Sequence, residues 1–147
     1  MKTKLVKRYW CDFCNKAGLQ ADGMRRHEQH CTMNPARTCR VCALKQVCGD
    51  DGGAPLTDLM ALLPDYMDAE WDHLTGRETN RYQAFLDDLV IATHSLRGAS
   101  DGCPACMMAA LRQKGIPVPM IEGFDFKREM QVIFERANEF REEQAGY

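Results

Sequence analysis

Six of the eight cysteines in this 147-residue chain fall into C-x-x-C pairs: Cys11/Cys14 in CDFC, Cys39/Cys42 in CRVC and Cys103/Cys106 in CPAC. A two-residue gap lets a tight turn aim both sulfurs at one tetrahedral ion, with N–H groups of the turn steadying the thiolates. The same pairs could instead form disulfides or carry redox chemistry, and the compartment decides between these uses. No run of about eighteen apolar residues occurs, and the opening MKTKLVKRYWCDFC passes from basic to polar residues without the apolar stretch of a signal peptide. The expected setting is a reducing cytoplasm with no membrane association, where clustered cysteines are expected to bind metal. Eight ligands make two Zn²⁺ sites.

The first site lies within YWCDFCNKAGLQADGMRRHEQHC. Twelve residues separate Cys14 from His27 and three separate His27 from Cys31, so the segment reads C-x2-C-x12-H-x3-C. A short hairpin would carry the two sulfurs, and a helix from about Ala21 would bring His27 and Cys31 onto one face. His30 competes for the last position, since H-x2-H also occurs at such sites; the i,i+4 spacing favours Cys31.

On these residues, positions 9 to 31 resemble a ββα finger of the C2H2 zinc-finger family in its C2HC form. Tyr9 stands where the family has an aromatic before the first cysteine, and Met24 where it has a helix leucine. Gly18 departs from the pattern, because the family places a core Phe there; Leu19, Phe13 or a neighbouring domain is expected to fill the gap. The resemblance implies base-facing positions at Gln20, Asp22, Gly23 and Arg26. Arg26 would suit guanine and Gln20 adenine, while Gly23 could read nothing. One finger spans about three base pairs, so specific binding would need further contacts or a dimer. The alternative is that MRRHEQH is a solvated helix face.

Charge is divided unevenly. Residues 1 to 48 carry a formal +7, with Lys7, Arg8, Arg25 and Arg26 among the ten basic side chains, whereas the remaining residues carry −9. The basic end could follow a phosphate backbone while the acidic end is repelled from it. The two halves could equally attract each other within the molecule.

The second site must join Cys39 and Cys42 to Cys103 and Cys106. Each pair leads from a turn into a helix, and four-cysteine ligation would clip together the ends of a sixty-residue excursion. The spacing resembles a zinc ribbon or treble clef with a helical insertion. Cys48 is left over, either buried or an alternative ligand beside Cys39 and Cys42. CPAC at a helix N-terminus also matches a thioredoxin-like redox motif, but the polar approach SLRGASDG lacks the strand that this context needs.

The elements that must position these residues read as helical. Leu59, Leu62 and Leu63 share a face before Pro64 breaks the run. Thr75 and Glu78 match a capping box opening a helix from about Gly76 to Leu96, with Tyr82, Phe85, Leu86, Leu89, Thr93 and Leu96 at helical spacing and Gly98 as its C-cap. A third helix follows Cys106 and ends at Gly115. The last, DFKREMQVIFERANEFREEQ, carries a core stripe of Phe126, Met130, Ile133, Phe134, Ala137 and Phe140. Strand signal is nearly absent outside the first hairpin, and CGDDGGAPLTD suggests a flexible joint.

The expected fold is a mostly α, small zinc-stabilised protein. Residues 1–35 form a basic arm and ββα finger, and residues 36–147 a helical domain stapled by the split four-cysteine site. His73 and His94 are single histidines in helical contexts, and no G-x-S-x-G, phosphate loop or H-E-x-x-H occurs, so catalysis and a small-molecule substrate are not expected. A nuclease of the HNH type would need histidines and an asparagine on its own hairpin. The expected function is regulatory, through contacts between the N-terminal finger and nucleic acid, DNA first, and connected with transcription. The alternative is a protein-binding adaptor or inhibitor of the kind found in bacterial viruses and mobile elements, with both zinc sites structural.

Overall fold

The computed structural model describes residues 1–146. Strands β1 (Tyr9–Trp10) and β2 (Ala17–Gly18) pair antiparallel and lead into α1 (Ala21–His30). The hairpin closes where Cys11 N–H donates to the Lys16 carbonyl at 2.9 Å, and Asp12 N–H reaches the Glu28 carboxylate on α1 at 3.1 Å. Its core is small: Cys11, Met24 and Cys31 are buried, with Tyr9, Cys14 and Met33 packed around them. Leu19 and Phe13 do not fill the space opposite Gly18, since both are exposed. Met24 does so instead, because a Cβ at Gly18 would meet the Met24 methyl at 3.3 Å.

After this module come α2 (Arg40–Val47) and α3 (Leu56–Ala61), a second hairpin of β3 (Trp71–Asp72) and β4 (Arg77–Glu78), then α4 (Asn80–Ala99), α5 (Pro104–Gln113) and α6 (Phe126–Ala145). The protein is thus mostly helical. No helix among the described residues is long and apolar enough to cross a membrane. The main core joins Leu59 and Leu63, Phe85, Leu89 and Leu96, and Met107 and Leu111, closed by Ile116 and Ile121. Burying side chains of this size contributes about 1.5–3 kcal/mol each.

Several boundaries differ from the sequence reading. Thr75 does not cap a helix: its hydroxyl donates to the Asp72 carboxylate at 2.7 Å, which also accepts from Leu74 N–H at 2.9 Å. Gly76 (φ 67°) then reverses the chain, so a two-residue-per-strand hairpin replaces the first helical turn. His73 sits exposed in that turn and not on a helix. The cap of α4 is Thr79, whose side chain accepts from Tyr82 N–H. Gly98 remains inside α4; the left-handed residue that ends it is Asp101 (φ 52°), followed by Gly102 (φ 64°). Gly102 N–H donates to the Arg97 carbonyl and Asp101 N–H to that of Gly98, the paired bonds of a Schellman ending. Helix α5 closes the same way at Gly115, as expected, but begins at Pro104 and so contains Cys106.

On α6, Phe126, Met130 and Ile133 pack toward Val41, Cys103 and Ala105, and Ala137 is buried, whereas Phe134 is half-exposed. Leu62 turns outward from the α3 face. The stretch from Cys48 to Asp58 is bonded to the helical body at Ala54 and Asp50. Ala54 N–H donates to the Ala99 carbonyl at 2.8 Å, and a Cβ on Gly53 would lie 2.6 Å from the Ser100 carbonyl oxygen. The Arg136 guanidinium grips the Asp50 carboxylate through two bonds of 2.9 and 3.1 Å.

Candidate metal centres

Two groups of four ligand atoms assemble, each with all its atoms within 4.8 Å of one another. The first comprises Cys11, Cys14, His27 and Cys31. The turn after β1 supplies two sulfurs, with Phe13 N–H directed at the Cys11 sulfur at 3.4 Å. Helix α1 supplies His27, whose Nε2 lies 3.3 Å from the Cys14 sulfur. Ligands at about 2.3 Å (sulfur) and 2.0 Å (nitrogen) around a tetrahedral zinc stand about 3.5 Å apart, so this spacing suits a shared ion.

Cys31 follows the last helical turn, where its N–H donates to the Glu28 carbonyl. His30 is directed elsewhere. Its Nδ1 lies 2.8 Å from the Thr38 carbonyl oxygen, which fixes that nitrogen as a donor, and Thr38 N–H returns a bond of the same length to the Gln29 carbonyl. His30 therefore fastens α1 to the segment entering the second centre and takes no place in the first.

Charge in the first group suits a cation. Burial pushes His27 below its ordinary pKa, aided by the nearby Lys16 ammonium, which favours the neutral imidazole that a metal requires. Burial acts to raise the Cys14 thiol, but hydrogen bonds from the Lys16 backbone and from Cys11 and Cys31 outweigh it and hold the thiol below its usual value. Cys31 is pushed up by burial.

The second group joins Cys39 and Cys42 to Cys103 and Cys106. The Cys39 and Cys103 sulfurs are 3.6 Å apart, and those of Cys42 and Cys106 are 3.4 Å apart. A disulfide would need about 2.05 Å, whereas the sulfurs of a tetrahedral four-cysteine zinc stand about 3.8 Å apart. All eight cysteines are unbridged.

Each pair opens a helix. Cys39 caps α2, its sulfur accepting from Cys42 N–H at 3.5 Å, and Cys103 caps α5, with Pro104 in the first helical position. Two helix N-termini thus point partial positive charge at the four sulfurs. Arg37 adds a full one, its guanidinium 3.8 Å from the Cys106 sulfur, and its buried Nε has no protein partner. Hydrogen bonds from Cys103, Cys106 and Cys42 push Cys39 below the ordinary thiol value, while contact with Cys103 drives Cys42 up. A divalent ion would end this competition by accepting all four sulfurs as thiolates.

Cys48 belongs to neither group. It is half-buried rather than buried, at the C-terminus of α2 beside Leu44, Ile133 and Arg136.

The two centres are held against each other. Asn34, in the segment that links the two groups along the chain, is buried, its side chain donating to the Glu28 carbonyl at 2.7 Å and accepting from Ala36 N–H at 2.8 Å. Arg112 and Gln113 at the end of α5 bond the Thr32 hydroxyl and carbonyl at 2.9 and 2.8 Å. Neither Asn34 nor Thr32 carries a sequence signal for this role, since each is an ordinary loop residue until the fold is known.

Gln20, Arg25 and Arg26 are exposed along α1 and its entry, as are Lys7 and Arg8 before β1. Asp22 forms an exposed pair with Arg25 at 3.0 Å. Gly23 lies beneath Gln20, whose Cβ is 3.7 Å from where a Gly23 Cβ would be. His94 is exposed on α4.

No family model, curated protein or solved structure matches the chain. The choice of ion therefore rests on the donor sets themselves. Three sulfurs with one imidazole, and four sulfurs, each set drawn within 4.8 Å, are donor sets that suit structural zinc.

Proposed function

We propose that this is a zinc-binding regulatory protein, without catalytic activity, whose N-terminal module is a C2HC finger contacting nucleic acid, DNA first, in transcriptional control. One observation carries the reading. The module is docked on the body by Thr32 and His30, beyond or at the end of α1, while Gln20, Arg25 and Arg26 stay exposed, as do Lys2, Lys4, Lys7 and Arg8 of the basic arm. Arg26 makes no ion pair among the described residues, and the exposed Asp22–Arg25 pair is of the kind worth about 0–1 kcal/mol, so Arg25 can exchange it for a phosphate. Fluorescence anisotropy with short duplexes tests this. Arg25→Ala with Arg26→Ala should weaken binding and reduce the salt slope by about 1 for each phosphate no longer neutralised. Binding unchanged by the double substitution, or insensitive to salt, contradicts it.

A second reading, a protein-binding adaptor with both zinc centres structural, is favoured by the half-exposed Val132 and Phe134 on α6 of the acidic body. Such an adaptor would retain a stoichiometric protein partner after nuclease treatment, which a nucleic-acid-dependent association would not.

A further inference from the structure

Helix α4 is 20 residues long and turns only one side toward the core, through Phe85, Leu89, Ala92 and Leu96. Its outward side, stepping by three and four residues, is Ala84, Asp87 and Asp88, Ile91, His94 and Ser95, and Gly98, all exposed. Ile91 is 68% exposed at the middle of this side, and Leu62 and Pro64 border it in a shallow groove. One exposed apolar side chain, like the adjacent Val90 at 69%, is ordinary on a surface; what sets Ile91 apart is the pattern of the residues around it.

Reflection through Ile91 matches each residue with a complement. Asp88, three before it, corresponds to His94, three after it; Asp87 corresponds to Ser95; Ala84, seven before, corresponds to Gly98, seven after. A twofold axis through Ile91 would thus set Asp88 of each copy against His94 of the other, an imidazole N–H donating to a carboxylate. Asp87 would meet a hydroxyl, and Ala84 would meet Gly98, two residues small enough for the helix backbones to approach. A parallel arrangement would instead place Asp87 and Asp88 against their own copies. We propose that the outward side of α4 is a self-complementary docking surface for a second copy of this chain, the two helices packing antiparallel about Ile91.

The inference stands apart from the nucleic-acid reading, although a twofold dimer would present two N-terminal modules at once. One helix face with its groove is smaller than the roughly 800 Å² per partner of a standard interface, so the dimer should be concentration-dependent.

Sedimentation equilibrium of the zinc-loaded full chain from about 1 to 500 µM should show the average mass rising from one chain toward two, as befits a small interface. Ile91→Lys, on the surface and therefore foldable, should raise the dissociation constant at least about tenfold with unchanged circular dichroism and zinc content. His94→Asp should also weaken the dimer, and adding Asp88→His should restore it. A wild-type chain that stays monomeric throughout, a dimer indifferent to Ile91→Lys, or a double variant that fails to recover overturns the proposal.

Discussion

The sulfurs of Cys39 and Cys103 lie 3.6 Å apart although 64 residues separate them in the chain. Between them run α2, α3, the second hairpin and all of α4, so ligation here would close a long excursion at its base. Cys39→Ser or Cys103→Ser should each release one zinc equivalent and cost about 3–5 kcal/mol, a fall in Tm on the order of 10 °C. Calorimetry with metal analysis on the same sample reads both.

The N-terminal module has only a thin core around Met24, so a zinc ion held by its four ligands would matter more to it than packing does. Cys11→Ser should unfold residues 9–31, since structural zinc supplies about 10–16 kcal/mol of apparent binding energy in finger peptides. Cys48→Ser should leave both metal contents unchanged and shift stability by less than about 1 kcal/mol. Equal damage from the two would contradict the ligand assignment; NMR of the His27 imidazole reports the module directly.

His30 and Cys31 separate by what their removal takes away. Cys31→Ser should release the first zinc. His30→Ala should retain it while removing the bond to the Thr38 carbonyl, a cost of about 0.5–1.5 kcal/mol. Zinc stoichiometry beside urea denaturation distinguishes them.

Two glycines should respond with opposite signs. Gly53→Ala would push a methyl to 2.6 Å from the Ser100 carbonyl oxygen and should destabilise by about 1–3 kcal/mol. Gly98→Ala, inside α4 with nothing within 4 Å of the new Cβ, should stabilise by up to about 1 kcal/mol. Thermal unfolding of the two variants checks both.

The ligand groups were legible in the sequence because C-x-x-C spacing is a local geometric statement, and helix periodicity made Phe85, Leu89 and Leu96 readable as core. Where the sequence misled, a side chain had two local uses and the fold chose between them. Thr75 could have capped a helix, yet Asp72 three residues earlier captured its hydroxyl and Gly76 permitted the turn. His30 could have been a ligand, but a carbonyl eight residues on took its Nδ1. Gly98 could have ended α4, but Asp101, an acidic residue tolerant of positive φ, did so one turn later. The bonds that hold the first module to α5, from Arg112 and Gln113 to Thr32, join residues distant in sequence, and Asn34 orders the link as a plain loop residue; neither leaves a periodic trace.

The most direct test of the two centres is native mass spectrometry with elemental analysis on protein purified without added zinc. Two zinc ions per chain, with all eight cysteines reduced, are expected. One ion, or a mass short by two hydrogens from a Cys39–Cys103 or Cys42–Cys106 disulfide, would contradict the second centre and turn attention to thiol redox chemistry.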